Sequence, residues 1–402
     1  MTNKLIVENF LIFKHIEIDI NRYTVFIGPQ ASGKSVVAKI LFLFYQFPET
    51  CFNFIDKNSR SIQREMVSTF KKIFPEKIWK NHSFTIELKT PKGSLSFKHE
   101  NKKSLLFVTS EYYECLFNEL KKEFDDGLKK EKEDISFNFY RTMKKAFHDR
   151  NWAFVNNGGS CSFIPADRAF FATLKDVVFT LIVNDVNLDY FIKKFGSNYE
   201  LIKRISLQSK KIKNKQKELL NGFYKIKDSK EFIHAEQAGK SFDIELSCAS
   251  SGQQELLPIL IKMFSSAKTF YIVEEPEAHI YPQSQYELIR FIISRKVSND
   301  PETAYLFTTH SPYILTTLNN LAYAGYLEKK YSNNKKKLLK LDKIYSKDER
   351  IPYGELTAYM FRDGSVKSII DKETMLIHAE DIDKISDITE SAFSDLMMLE
   401  DE

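Results

Sequence analysis

Tyr23-Thr24-Val25-Phe26-Ile27-Gly28-Pro29-Gln30-Ala31-Ser32-Gly33-Lys34-Ser35 is the stretch on which the fold turns. Its last eight residues fit G-x-x-x-x-G-K-[ST], the phosphate-binding P-loop. The first five are apolar and β-branched and predict a buried strand. Val36-Val37-Ala38-Lys39-Ile40-Leu41-Phe42 follows without Gly or Pro and predicts a helix. Strand, glycine loop and helix in that order are what phosphate binding requires. Gly28 and Gly33 let the backbone come close to a polyphosphate. The N–H groups of Pro29-Gln30-Ala31-Ser32 and beyond, proline excepted, then face the anion together with the helix N-terminus. Lys34 adds a point charge at the β/γ-phosphates, and the Ser35 hydroxyl is placed to ligate Mg²⁺.

Working outward, the first 47 residues alternate apolar and polar. Leu5-Ile6-Val7 and Ile16-Glu17-Ile18-Asp19-Ile20 predict two antiparallel strands leading into the P-loop strand. Phe84, Ile86 and Leu88, then Leu95 and Phe97 beyond the Pro91-Lys92-Gly93 turn, predict a hairpin within 83–109. From about 111 to 150 the chain is charged and reads as helix, and a second helical insertion is expected from about 172 to 230. Its apolar positions are too irregular for long heptads, so short arms are expected instead of a coiled coil. Phe163-Ile164-Pro165-Ala166-Asp167-Arg168 lies between the insertions as a strand-to-turn segment.

Alternation resumes near residue 241. Phe242-Asp243-Ile244-Glu245-Leu246 predicts a strand rejoining the P-loop lobe, and Thr269–Val273 and Ala304–Thr308 predict two more, with helices between. This order specifies an α/β fold: a P-loop core with a mainly parallel sheet, an additional mixed β lobe and inserted helical arms. The expected divisions are an N-terminal lobe with the P-loop at 1–110, the arm region at 111–240, a C-terminal lobe at 241–350 and a tail at 351–402.

Composition narrows the function classes. The chain has 402 residues and 34 Phe, enough for a large core, and 43 % hydrophobic with 28 % charged residues is the balance of a water-soluble chain. Cys51, Cys115, Cys161 and Cys248 are scattered without a C-x-x-C pair, which argues against zinc or disulfides and for a reducing compartment. The start has no signal-peptide core and no apolar run reaches about 18 residues, so a cytoplasmic protein without membrane contact is expected. The net charge of +5 is mild but clustered. Residues 201–230, and Lys329, Lys330, Lys335, Lys336, Lys337 and Lys340, form two basic runs. Such runs either track phosphate backbones, as in DNA, or are solvated faces.

Four further pieces carry chemistry. After Phe270-Tyr271-Ile272-Val273, Glu274 and Glu275 emerge at the carboxyl end of a strand, where Glu274 would hold a metal and Glu275 would polarise the attacking water. Ser250-Ser251-Gly252-Gln253-Gln254 opens a helix and is either a phosphate-binding turn or a simple serine cap. His310 sits at the tip of a strand, within reach of a γ-phosphate or as a structural histidine. Glu277-Ala278-His279 follows the carboxylates as a loop that could face a second subunit.

GPQASGKS, SSGQQE, YIVEEPEAHIYP and TTHSPYIL, in that order, resemble ABC-type ATPases of the SMC/RecF/OLD branch. The resemblance covers roughly residues 1–50 and 240–320. It implies that the lobes at 1–110 and 241–350 form an ABC-type ATPase head, and that two heads sandwich two ATP molecules with Mg²⁺. It assigns Lys34 and Ser35 to phosphate and Mg²⁺, and Glu274 to the metal side. Ser251, Gly252 and Gln253 become the signature that reaches the partner's γ-phosphate, Glu275 the general base and His310 the switch histidine. The signature departs from a Leu-Ser-Gly-Gly core, and neither Gln46 nor Gln63 is assigned as the Q-loop glutamine. OLD nucleases carry a Toprim domain after the ATPase, whereas here about 90 residues follow His310, with Asp381-Ile382-Asp383 on what reads as helix. The tail 351–402 looks like the end of stand-alone ATPases from bacterial anti-phage systems such as Septu and PARIS. The Pro-Ala-Asp-Arg segment looks like one found in bacterial defence ATPases, where Asp167 and Arg168 read equally as a structural salt bridge. The implied role is an ATPase and sensor subunit for a separately encoded nuclease or toxin. A DNA-binding repair ATPase close to RecF or SMC heads is the alternative, and a self-contained nuclease or a transporter subunit fits less well.

Overall fold

The computed structural model describes residues 2–130, 137–172, 188–203, 217–228, 230–237, 239–263, 269–294, 302–378 and 391. The opening hairpin is β1 (Asn3–Phe10) and β2 (Phe13–Ile20), followed by β3 (Tyr23–Ile27). β3 runs into the glycine loop and α1 (Lys34–Tyr45), then α2 (Phe47–Asn53) and α3 (Ser59–Ile73). β4 (Phe84–Thr90), β5 (Gly93–His99) and β6 (Leu106–Thr109) complete a five-stranded antiparallel sheet in the order β2-β1-β4-β5-β6. The predicted N-terminal strands and hairpin are therefore present. Helices α4 (Glu111–Lys130) and α5 (Phe137–His148) lie in the charged stretch.

The expectation of helical arms from 172 to 230 holds at α6 (Tyr190–Ile202), after β7 (Cys161–Ile164), but fails at its end. There β8 (Phe223–Lys227) and β9 (Lys230–Gln237) are strands, paired antiparallel. β10 (Lys240–Glu245) adds to β9 and not to the P-loop sheet, contrary to the reading of 242–246. The physical reason is a period of two carried by few residues: Tyr224 is buried and Ile226 half-buried against the core, Ile233 and Ala235 are buried, and Lys225, Lys227 and Lys230 share the alternate positions with Phe232, His234 and Glu236. Lysine-rich composition hides a period of two. Glu231 anchors this small sheet: it is buried, accepts from the hydroxyls of Tyr199 and Tyr224, and lies 3.7 Å from the Lys203 ammonium.

The remaining elements build the central layer. They are α7 (Ser251–Met263), β11 (Phe270–Glu274), α8 (Pro282–Ile293), β12 (Ala304–Thr309), α9 (Pro312–Lys330), α10 (Lys335–Ile344), β13 (Leu356–Arg362) and β14 (Ser365–Ser368). The six-stranded sheet has the order β14-β13-β3-β12-β11-β7, and only β14 pairs antiparallel. The fold is thus α/β with a mainly parallel sheet, as expected. What was expected as a tail contributes the strand β13, directly beside the P-loop strand.

Parallel strands buried on both faces alternate between two cores. Phe26, Ile272 and Leu306 face one, shared with α1 and the antiparallel sheet. Val25, Val273 and Phe307 face the other, shared with α7, α8 and α9. Tyr271, Tyr305 and Tyr23 stack across the sheet at 5.7 and 5.8 Å with interplanar angles of 14° and 13°. That ladder requires the register Tyr271↔Tyr305↔Tyr23. The same register brings the carboxyl ends of β3, β12 and β11 level, which is where open α/β sheets place their ligands.

Candidate functional site

Three strand ends converge. Ile27 precedes the glycine loop, Thr309 precedes His310, and Glu274 precedes Glu275; Thr309 pairs with Ile27 and Thr308 with Glu274. Gly28 has φ +151° and a Cβ there would stand 2.1 Å from the Phe361 carbonyl oxygen on β13. Gly33 has φ +95° and its Cβ would meet the Phe13 ring at 2.3 Å and Ile12 at 2.9 Å. Both glycines are therefore required, one by a strand remote in sequence and one by its positive φ beneath the Ile12 and Phe13 side chains of the β1–β2 hairpin. Gly33 also caps α1 without a side-chain bond, leaving the helix N–H groups to serve another acceptor.

Lys34 lies across this loop with its Nζ donating to the carbonyls of Gly28 (2.7 Å) and Pro29 (2.9 Å). It is 5 % exposed. Burial pushes its ammonium down to about 8, opposed by the charges of Glu275 and Glu277. Its Nζ also lies 3.4 Å from His310 Nδ1, while His310 Nε2 lies 3.1 Å from Glu275 Oε1. The bonding pattern assigns the ring proton to Nε2, with Nδ1 accepting from the lysine. Lys34, His310 and Glu275 thus form one connected line.

Glu274 is buried, and one of its oxygens, Oε1, has no hydrogen-bond partner. Burial raises its carboxyl above the usual range, and the Ser35 hydroxyl, the Lys39 charge and the Ala166 N–H oppose this. A buried carboxylate beside a serine hydroxyl, with an oxygen left over, is a set of hard oxygen donors. Two protein oxygens completed by phosphate and water suit Mg²⁺. Among the described residues no group of three or more His, Cys, Asp or Glu is arranged to hold a metal.

Glu275 has φ +42°, in the left-handed region that non-glycine residues occupy at a cost of about 1–3 kcal/mol. Its N–H donates to the Thr308 carbonyl at 2.8 Å. Glu277, read from sequence as part of an outward loop, turns inward: Oε1 accepts from the Thr309 hydroxyl at 2.8 Å and the His310 N–H at 2.6 Å. His279 is the member of that loop that faces out, with its side chain 67 % exposed.

Ser251, Gly252 and Gln253 open α7. Ser250 and Gln253 cap each other: Ser250 N–H donates to Gln253 Oε1 at 3.2 Å and Gln253 N–H to Ser250 Oγ at 3.3 Å. Gln253 Nε2 donates to the Leu220 carbonyl at 2.7 Å. The Gln253 side chain is therefore engaged in its own helix start, while Ser251 is exposed. Gly252 approaches the loop after β11, where its Cβ would stand 3.0 Å from the His279 carbonyl oxygen. Gln46 is buried and bonded to Cys161 and Lys194, away from this cluster. Sequence reading missed the Glu277 brace and the packing of Ile12 and Phe13 on the loop. Neither has a local signature, because the partners are brought by other strands. Lys210, Lys211, Lys213 and Lys215 of the first basic run, and Asp381-Ile382-Asp383, lie outside the described residues.

Among the described residues no helix is long and apolar enough to cross a membrane. No curated protein matches the chain. Similar solved structures include the SmcHead bound to the C-winged helix domain of ScpA, at 12 % identity and TM-score 0.43, covering 92 % of this chain and 97 % of that one. Another is the SMC head domain from Thermotoga maritima, at 11 % identity and TM-score 0.38, covering 92 % and 98 %. A third is the Smc head domain with an extended coiled coil bound to the C-terminal domain of ScpA from Pyrococcus furiosus, at 13 % and 0.38, covering 92 % and 95 %. The family described as AAA ATPase domain matches residues 83–315, a span that begins after the glycine loop. With more than half of its length in that match, the chain belongs to the AAA ATPase domain family and is an ATP-binding ATPase.

Proposed function

We propose that this chain hydrolyses ATP at the glycine loop, dimerises around the nucleotide, and serves as the sensor and regulatory scaffold for a separate nuclease or toxin in bacterial anti-phage defence. The observation that supports the site is the connected line from Lys34 through His310 to Glu275. In this reading Gly28 to Ser35 cradle the phosphates. Lys34 leaves the Gly28 and Pro29 carbonyls for phosphate oxygens. Glu275 takes the proton of the attacking water, and His310 stands between base and lysine to contact the γ-phosphate. Ser35 and Glu274 are the residues that would hold Mg²⁺, which supplies charge neutralisation at the phosphates when bound. Ser251, Gly252 and Gln253 are offered to the nucleotide of a second copy.

Lys34 makes the phosphate step pH-dependent. A bound anion favours the charged lysine, so affinity is full below about pH 8 and falls as pH rises through it. Nucleotide affinity is expected to drop about tenfold between pH 7 and 9, with proton uptake on binding above pH 8. Calorimetric titration in buffers of different ionisation enthalpy measures that uptake; a flat affinity and no uptake refute the role given to Lys34.

The defence role draws on the order of motifs and on the arm region 111–240 as a docking segment between the two ATPase lobes. Co-purification of the tagged chain with the products of its neighbouring genes, with and without ATP, tests it. A stable complex with a nuclease-like or toxin-like protein is expected. If the chain purifies alone and DNA stimulates its ATPase, the repair reading takes over. The lysines of α10 keep that reading open: Lys335, Lys336, Lys337 and Lys340 are all exposed.

A further inference from the structure

We infer that Arg168 is a positioning residue for ATP hydrolysis, clamping the strained Glu275 backbone and the first turns of α7 into one unit. Arg168 is wholly buried in the loop after β7. Its Nη1 donates to the carbonyls of Pro165 (3.2 Å) and Glu274 (2.9 Å), and its Nη2 to that of Glu275 (3.0 Å). Its Nε donates to the Glu255 carbonyl at 3.0 Å and lies 3.1 Å from Glu255 Oε2. One planar fork therefore joins three segments that are distant in sequence: the loop after β7, the second turn of α7, and the end of β11.

The target of the fork is telling. Glu275 adopts φ +42°, and such a conformation persists only where its surroundings over-determine it. Its two flanking peptides are each pinned: its N–H by the Thr308 carbonyl at 2.8 Å, and its C=O by Arg168. With the backbone so fixed, the Glu275 carboxylate is delivered to His310. A buried ion pair is weak grounds for stability, since apolar residues of similar volume replace such pairs at little cost. Four backbone carbonyls converging on the same guanidinium, two of them from Glu274 and Glu275, serve geometry instead.

The clamp also has an outer end. Glu255 Oε1 lies 3.6 Å from Nδ1 of the exposed His279. Gly252, one turn before Glu255, packs on the His279 carbonyl. The start of α7 and the segment 274–279 are thus joined twice, through Arg168 and through His279. A displacement of α7 at Ser251 or Gly252 is carried to the Glu275 peptide.

The inference rests on Glu275 as the base, so Glu275→Gln is measured in parallel. Two variants probe the clamp in the full chain. Arg168→Lys keeps the charge beside Glu255 but lacks the planar fork. Arg168→Met with Glu255→Leu removes the pair together, so that no buried charge is left alone. Both are expected to bind a fluorescent ATP analogue within about threefold of the parent. Their kcat is expected to fall about 100-fold with little change in KM, measured well below the lower melting temperature, because a small misplacement of a reacting group costs that much. A lowered melting temperature with kcat within about threefold of the parent marks a purely structural role and overturns the inference. If Glu275→Gln is inactive while the folded Arg168 variants turn over normally, this inference alone fails. If Glu275→Gln turns over normally, the site reading beneath it fails.

Discussion

Lys34→Ala is expected to abolish measurable ATP binding. The side chain is held across the loop by the Gly28 and Pro29 carbonyls, so it needs no long search to reach a phosphate placed there. A hydrogen bond to a charged group contributes about 1.5–3 kcal/mol, and one ammonium serves more than one phosphate oxygen. Loss of one such bond already weakens affinity by about 10- to 150-fold, and loss of two puts binding beyond ordinary titration. The fold should survive, because alanine suits a first helical turn and Lys34 is the N-terminal residue of α1. Equilibrium binding of a fluorescent ATP analogue, beside a circular dichroism melt, checks this. Unchanged affinity in a folded variant removes the P-loop assignment.

Glu275→Gln is expected to bind ATP and fail to hydrolyse it. The amide keeps the shape of the carboxylate but cannot accept a proton from water. General-base catalysis is worth about 10²–10⁴-fold, and kcat should fall within that range. The contact to His310 Nε2 is retained, since the amide oxygen still accepts. Nucleotide affinity should therefore hold, and a dimer formed around ATP should accumulate instead of turning over. Steady-state phosphate release and light-scattering mass with ATP present read the two effects. Normal turnover places the base elsewhere; lost turnover without any increase in mass separates hydrolysis from dimerisation.

The two variants differ in how far the sequence alone could have carried them. Lys34 is legible from eight consecutive residues, because a glycine loop between strand and helix is a local device. Glu274 and Glu275 are nearly as legible, as carboxylates ending an apolar strand. The helical expectation for 172–230 is misled at its end by Lys225, Lys227 and Lys230, whose composition says nothing about the alternation of Tyr224 and Ile226 between them. The role of the last quarter of the chain was equally hidden. β13 inserts between β14 and β3, and its Phe361 carbonyl is what forbids a Cβ at Gly28.

By itself, then, the sequence determined the strand–loop–helix unit, the mainly parallel α/β layer, and the residue types able to meet phosphate, metal and water. These follow from local spacing and burial pattern, which act between near neighbours. Only the tertiary structure decided that Glu277 turns inward to brace His310, that β13 walls the glycine loop, and that Arg168 holds Glu275 and α7 together. Each of these depends on strand register and on a buried guanidinium finding carbonyls from segments about 90 to 110 residues away, as its bonds to Glu255 and Glu275 do. Such bonds form because a buried donor without an acceptor is costly, and no local pattern in the chain announces which acceptor it will meet.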